Sequence, residues 1–463
     1  MREAVVAAVV ACLVACAQTN EFTPVPLPVP NVWAQSSPAL DVNAAKTHWR
    51  AFFPDPQLQY LITRALENNR DLRIAAGRVQ EARALFGIAR ADLGPTFNLL
   101  GSGNLTRTSS DLSGVGAPLT SQRYDLSMSG VSFELDFWGR VASLSEAARM
   151  AYLATEESKR SVYLSLIADV AMSYLSILQF QELLTAEESI VATRQASLGL
   201  IQKGLQIGAA NDFDYQQASS LLESSLGTLA SYQNQQSVAR NRLNFLVGNV
   251  SFDLNTEVRL EHQGLDTVLD PGLPADVLLM RPDVMAAEQR MLASHANIAA
   301  ARAAFLPKVV LTAGLGLASQ GLMGLFSGGA WSFQPIVSMP LFDGGRSAAG
   351  VELAEARKAI AVAEYERTIQ LAFREVADLL SERTSLARQV QSSHANIKAQ
   401  ARRLEIAQGR HQAGVSGYLD VLEAQRELIA AQQYAAQVRR AQLDSTVQLY
   451  KALGGGRDVG PSR

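Results

Sequence analysis

Beyond position 16 this 463-residue chain has no cysteine. Cys12 and Cys16 both stand near the start, so a disulfide framework and a thiolate metal site are excluded downstream. Proline is missing from 119–270 and again from 341–460, which lets helix run unbroken through both stretches. Charge of one sign is lacking too. The formal net charge is −3, and nothing points to a nucleic-acid partner. No interior run of eighteen apolar residues occurs, which argues against a membrane-spanning helix. A membrane β-barrel leaves a much weaker hydropathy trace and stays open. No catalytic constellation stands out either. His48, His262, His295, His394 and His411 are scattered over unrelated segments, and there is no phosphate loop or nucleophile elbow. Gly314-Leu315-Gly316-Leu317 lacks the third glycine of a dinucleotide loop. An enzyme is therefore the least supported class, and neither cofactor nor metal is expected.

What is present begins with a short apolar run after Met1-Arg2-Glu3, which reads as a signal peptide over 1–15. Leu13-Val14-Ala15-Cys16 resembles the bacterial lipobox, with Cys16 as the lipidated new N-terminus and Ala17 permitting outer-membrane sorting. A plain signal peptide is the alternative. Pro24, Pro26, Pro28 and Pro30 then favour an extended path, so 16–45 reads as a tether that lifts a folded body off a lipid anchor.

The folded body reads as one unit built twice. Over 46–248 come helices, a β-hairpin over about 96–137, and a long helical hairpin over 140–248. Residues 249–274 form a polar connector. Over 275–454 come a helix, a β-hairpin over about 309–342 with its turn at 325–330, and a second long helical hairpin over 346–453. A loose tail, 455–463, follows. Asp71 is the expected cap of the second short helix. Tyr124, Leu126, Met128 and then Val131, Phe133, Leu135, Phe137 alternate with polar or small residues, with a phase slip near Gly130, which means strand. Tyr163, Ile167, Val170, Tyr174 and Ile177 step by four and three, a coiled-coil seam. Leu422, Ile429, Ala436, Leu443 and Tyr450 recur every seven residues as another. Gly204 and Gly208 mark the first hairpin tip, and Gly414 and Gly417 the second. Asp283 to Pro307 repeats Asp71 to Pro95 without a gap, with Arg290 at the place of Arg78 and Ala301-Arg302-Ala303 at that of Ala89-Arg90-Ala91. An internal duplication is the strongest fact in the sequence.

Two strand pairs cannot close a barrel, and lipid does not tolerate open edges. If these strands span a membrane, several chains share one barrel and their helical hairpins stand side by side. The aromatics Phe133, Phe137, Trp138, Trp331 and Phe333 fall in the strand segments, as membrane-interface girdles would; ordinary sheet-core packing is the other reading.

Four motifs carry a resemblance to a known family. They are Phe133-Glu134-Leu135-Asp136-Phe137-Trp138-Gly139-Arg140, Arg281-Pro282-Asp283-Val284 with Ala287-Glu288, Ala301-Arg302-Ala303-Ala304-Phe305-Leu306-Pro307, and Pro340-Leu341-Phe342-Asp343-Gly344-Gly345-Arg346. Together they resemble the outer-membrane efflux protein (TolC-like) family, lipoprotein branch, over about residues 46–455. The resemblance implies an α+β membrane protein. Its homotrimer would share a twelve-stranded outer-membrane β-barrel, four strands per chain, continued by a long α-helical coiled-coil barrel in the periplasm. It also implies docking of the hairpin tips to a periplasmic adaptor (membrane fusion) protein, and an inner-membrane transporter as energy source. In such channels carboxylates near the start of the last long helix ring a constriction. The matching segment here is Tyr418-Leu419-Asp420-Val421-Leu422-Glu423-Ala424-Gln425-Arg426. Asp420 and Glu423 fall on the acidic gate positions, Leu419 on an apolar constriction residue and Arg426 on a charged neighbour. Glu423 departs from the aspartate common in the family. Asp420 and Glu423 are three apart and share a helix face, although Asp420 would equally serve the helix N-terminus.

The expected function is passive export of drugs or other small molecules through the outer membrane. An exit duct for type I protein secretion or metal efflux is an alternative with the same fold. A lipid-anchored coiled-coil scaffold is the alternative from another class, and it leaves the two strand hairpins unexplained.

Overall fold

The computed structural model describes residues 28–30, 33, 42–43, 47–248, 254, 258–265, 269–270 and 277–455. The expected signal peptide, Cys16, most of the tether and of the connector, and the tail from 456 lie outside the described residues. The elements in order are β1 (Val42–Asn43), α1 (Trp49–Phe52), α2 (Pro56–Asn68), α3 (Arg70–Ala91), β2 (Thr96–Thr108), β3 (Leu119–Leu135), α4 (Arg140–Gln206), α5 (Asp212–Val247), β4 (Leu269–Asp270), α6 (Pro282–Ala303), β5 (Lys308–Ser319), β6 (Gly329–Ser338), α7 (Arg346–Gln412) and α8 (Tyr418–Ala452). The duplication is visible in the lengths. Both α3 and α6 have 22 residues, both α4 and α7 have 67, and α5 and α8 have 36 and 35.

The described chain forms two compact units. The first comprises Arg78–Glu156 and Ala286–Glu366. Its centre is one antiparallel sheet in the order β2-β3-β5-β6, so the hairpin of each repeat contributes two strands. The anticipated phase slip is a register shift in β3 between Gly130 and Phe133 against β5. The second hairpin turns earlier than 325–330: a 3-10 turn occupies Leu322–Ser327 and β6 already begins at Gly329. Leu325 is buried in that turn, Gly328 ends it and Gly329 starts the strand. β6 ends at Ser338, short of 342, where Pro340 and the capping residue Asp343 follow. Asp343 accepts from Gly345 N at 3.0 Å and Ser347 N at 2.8 Å, committing the chain to α7.

The second unit comprises Leu27–Gly77, Glu157–Met285 and Arg367–Arg463. Phe52, Phe53, Leu58, Leu61 and Ile62 are buried with Tyr174 and Tyr450, and Phe52 stacks on Tyr450 with ring centroids 4.1 Å apart. Asp55 caps α2 through Gln57 N at 2.8 Å and also accepts from Tyr174 Oη at 2.8 Å. One carboxylate thus fixes a helix start and ties it to α4. Of the seam foreseen in α4, Ile167, Val170, Tyr174 and Ile177 are buried and Tyr163 is half-buried. α4 is long and apolar enough to cross a membrane, yet most of that apolar window is buried within the chain's own fold, which accounts for its composition.

Two details differ from expectation. The cap of α3 is Asn69, whose Oδ1 accepts from Leu72 N at 3.0 Å, and not Asp71, which lies in the first turn. Helix α2 ends at Asn68 and α3 already starts at Arg70, so the break falls two residues earlier than an Asp71 cap needs. In α8 the seven-residue spacing is present, but its buried stripe is Ala424, Ala431, Val438, Ser445 and Ala452. Leu422, Ile429 and Ala436 are only half-buried in the single chain, while Leu443 and Tyr450 are buried. The small residues take the inner stripe because they let helix backbones approach closely.

The two repeats close in the same way with different side chains. Asn69, at the start of α3, donates from Nδ2 to Leu246 O at the end of α5, 3.0 Å. Arg281, just before α6, donates from Nη1 to Ala452 O at the end of α8, 2.7 Å. Arg281 also meets Asp283 and Glu375, each at 2.8 Å. Both side chains satisfy a carbonyl that a helix end leaves open. Arg281 is nearly buried while its carboxylate partners are partly exposed. Arg281→Ala is expected to cost about 1.5–3 kcal/mol, the range for hydrogen bonds to charged groups, and Asn69→Ala about 1 kcal/mol. Thermal melting in detergent checks this: both midpoints fall, that of Arg281→Ala further.

Candidate functional site

Two places in the fold carry function, one in each unit. In the first unit, directly opposite residues of antiparallel strands share a face. The pairings Leu126↔Leu317, Met128↔Leu315, Phe133↔Leu311 and Leu135↔Val309 continue into Leu315↔Trp331, Ala313↔Phe333 and Val309↔Val337. On the other side Leu99 stands opposite Met128. One face of the sheet is therefore apolar from edge to edge. The register shift after Gly130 keeps Phe133 and Leu135 on it. The opposite face carries Asn98, Ser102, Asn104, Asp125, Ser127, Thr312, Ser332 and Gln334, with Leu100, Val310 and Ile336 among them. Among the described residues nothing covers the apolar face: Phe97, Leu99, Leu315, Trp331, Phe333 and Val337 are all more than half exposed. Alternation of apolar and polar faces in one uncovered sheet is the pattern of a strand set between lipid and water.

Of the five aromatics singled out in the sequence, Phe133, Trp331 and Phe333 lie on this face. Phe137 and Trp138 follow the strand end. Phe137 is exposed, and Trp138 is half-buried with Nε1 donating to Pro307 O at 2.8 Å. Beside it, Glu134 accepts a bidentate pair from Arg140 at 2.8 and 2.7 Å and meets Lys308 Nζ at 3.0 Å. Asp136 accepts from Ala142 N at 2.7 Å, starting α4. The motif at 133–140 is thus a strand-to-helix junction, and Lys308 is a member of it that the sequence did not announce.

In the second unit the hairpin tips share one hydrogen-bond pattern. Gly204 O accepts from Ala209 N at 2.7 Å, and Arg410 O accepts from Val415 N at 2.9 Å. Gly208 and Gly414 sit in the left-handed region, φ 74° and 70°, as this helix ending requires. Gly204 itself is in the last turn of α4. The return helices start differently. Asn211 caps α5 through Asp214 N at 2.9 Å. Gly417, at the corresponding place before α8, offers no side chain. Asp420 is then the only acidic residue in the first turn of α8.

The four residues matched to the gate are all exposed. Glu423 is paired with Arg403 of α7 at 3.2 Å, and Arg426 with its neighbour Glu427 at 3.0 Å. Leu419 projects from the first turn and is more than half exposed. The start of α8 is held to α4 by Tyr418 Oη, which donates to Ser197 Oγ at 2.9 Å. Below it, Arg194 donates to Ser225 Oγ at 2.6 Å, joining α4 to α5. Arg403, Ser197 and Arg194 had no signal in sequence, because helical periodicity does not say which polar residue meets another helix.

Residues 61–249 and 273–455 each match the family model described as outer membrane efflux protein. The chain belongs to that family. The two matched stretches correspond to the two repeats. Among relatives, the toluene efflux pump outer membrane protein TtgI of Pseudomonas putida is 42% identical over 89% of this chain and 87% of its own. The cation efflux system protein CusC of Escherichia coli is 40% identical over 93% of each. Among solved structures, the open state of the Neisseria gonorrhoeae MtrE outer membrane channel superposes with a TM-score of 0.87. It is 32% identical and covers 95% of this chain and 98% of its own. The fold is that of outer-membrane efflux channels, and the chain is the outer-membrane channel of an efflux system. The family is one of channel proteins, and the scaffold reading is set aside.

One buried acid on α8 gives this helix a pH dependence. Asp444 pairs with Arg440 Nε at 3.2 Å, while its Oδ1 is buried without a hydrogen-bond partner among the described residues. Burial raises its pKa to about 6 from an ordinary 3.8, helped by Glu382 and opposed by Arg440. The folded chain therefore binds a proton that the unfolded chain releases between about pH 4 and 6. Stability falls as pH rises through that window, by a ceiling of roughly 3 kcal/mol. Asp444→Asn is expected to raise the melting midpoint at pH 7.5 and to leave it nearly unchanged at pH 4.

Proposed function

We propose that three copies of this chain close a twelve-stranded barrel in the outer membrane, and that their helical hairpins form the periplasmic duct below it. The observation that carries the reading is the four-stranded sheet with two unpaired edges, β2 and β6, and an uncovered apolar face. In lipid each edge strand must find a partner, and β6 of one copy beside β2 of the next supplies it. The homotrimer is the exit duct of a tripartite pump. A periplasmic adaptor docks at the tips marked by Gly204, Gly208, Gly414 and Gly417, and an inner-membrane transporter supplies the energy. Cys16 carries the lipid anchor.

Leu419, Asp420, Glu423 and Arg426 form the periplasmic constriction. Three-fold symmetry gathers six carboxylates around one axis, a ring that favours cations and repels anions. Opening is a small rotation of packed helices about the Gly208 and Gly414 turns. The pair Arg403–Glu423 is exposed on both sides, so it is worth at most about 1 kcal/mol and does not lock the tip by itself. The cargo is a drug or other small organic molecule, in keeping with the toluene pump relative. The cation efflux relative supports a second cargo class, metal cations, through the same duct. Sensitivity of a deletion strain to solvents and drugs, or to metal salts, separates the two.

Two measurements test the reading. The purified protein in detergent is expected to run as a heat-modifiable trimer with β signal in circular dichroism; a water-soluble monomer after delipidation overturns it. Asp420→Ala combined with Glu423→Ala is expected to raise single-channel conductance in planar bilayers several-fold. Unchanged conductance removes these two residues from the constriction.

A further inference from the structure

The β5–β6 loop carries apolar side chains that the fold leaves bare. Leu322, Met323 and Phe326 are exposed, Met323 completely, while Leu325 between them is buried. No charged residue occurs from 320 to 330. The β2–β3 loop over 109–118 also bares Leu112 and Val115, but sets them among Ser109, Ser110, Asp111 and Ser113, with a charge that the β5–β6 loop lacks.

The side on which the turn lies is fixed by Ser319. Ser319 stands opposite Tyr124 and follows Leu317 and Leu315 on the apolar face of the sheet. Gly321 N donates to Ser319 Oγ at 3.3 Å. A Cβ added at Gly324 would fall 2.7 Å from the same Oγ, so the turn backbone presses on a side chain of that face. The 3-10 turn packs on β5 and β3. Its bare side chains therefore continue the apolar band past the strand ends, away from the polar face that lines the lumen.

We propose that the turn Leu322–Ser327 is a lipid-inserting flap, with Leu322, Met323 and Phe326 entering the outer leaflet at the barrel rim. It rests on the reading that the apolar face meets lipid. Continuity with that face is what selects acyl chains as the occupant. The flap would set the depth of the barrel.

Nitroxide labels at single cysteines test this in the full-length trimer reconstituted into phosphatidylcholine vesicles. Met323→Cys reports the flap, Leu315→Cys the barrel face and Asp111→Cys the polar loop, with the parent chain giving any background from Cys16. The expected result is that labels at 323 and 315 are relaxed more by oxygen than by a nickel chelate, and the label at 111 more by the chelate. A label at 323 that favours the chelate overturns the flap. Shielding from both reagents, or spin–spin broadening between copies, also overturns it by placing the turn against protein. Loss of the oxygen preference at 315 instead overturns the barrel reading beneath it, so the two failures are distinguishable.

Discussion

The constraint on which the structure depends is that a backbone polar group in hydrocarbon has no water to turn to. A four-stranded antiparallel sheet leaves two rows of N–H and C=O groups open, one on β2 and one on β6. In water such edges are tolerable; against lipid they are not. The apolar face running from Leu99 to Val337 shows that this sheet is made for lipid. The chain therefore has a requirement that it cannot meet alone. In the proposed trimer the missing partners are the open edges of its own copies, β6 of one beside β2 of the next.

Duplication then explains the economy of the remainder. Equal helix lengths in the two halves make the repeats interchangeable as building units, while single substitutions give them different properties. Asn69 and Arg281 perform one task, closing the end of a return helix, with a neutral bond in one half and a charge-assisted network in the other. Asn211 and Gly417 show the reverse economy: one return helix starts with a side-chain cap and the other without. The helix without the side-chain cap, α8, is the one that bears Leu419, Asp420, Glu423 and Arg426. The start of α8 relies instead on Tyr418, whose hydroxyl reaches Ser197 of α4, and a glycine in place of a capping side chain costs only a few tenths of a kcal/mol.

Much of this was legible in the residues. Long stretches without proline gave both 67-residue helices, and the alternation with its slip at Gly130 gave the strands and the register shift. Loops and contacts between helices were not legible. The turn at Leu322–Ser327 was placed too late because Gly and Ser signal a turn without saying which apolar neighbour will bury itself in it. Asp71 looked like a cap by type, yet Asn69 reaches Leu72 N because α2 continues to Asn68. The gate positions came from a family motif. Their partners, Arg403 for Glu423 and Ser197 for Tyr418, come from helices that the motif does not include.

The half-open stripe of α8 carries a last consequence. Two stripes run along this helix, two residues apart. Ala424, Ala431, Val438, Ser445 and Ala452 are buried inside the chain, and small side chains there bring the partner helices close. Leu422, Ile429 and Ala436 repeat with the same period and are covered only in part. A helix serving a single hairpin needs one stripe. A second, larger and half-open, has the composition of a seam whose partner is another helix. It lies on the helix that begins with the exposed Asp420 and Glu423, so in the proposed trimer whatever packs on that stripe also brings those carboxylates to their counterparts. The same incompleteness that leaves the sheet open at its edges thus recurs in the helices, and one act of association answers both.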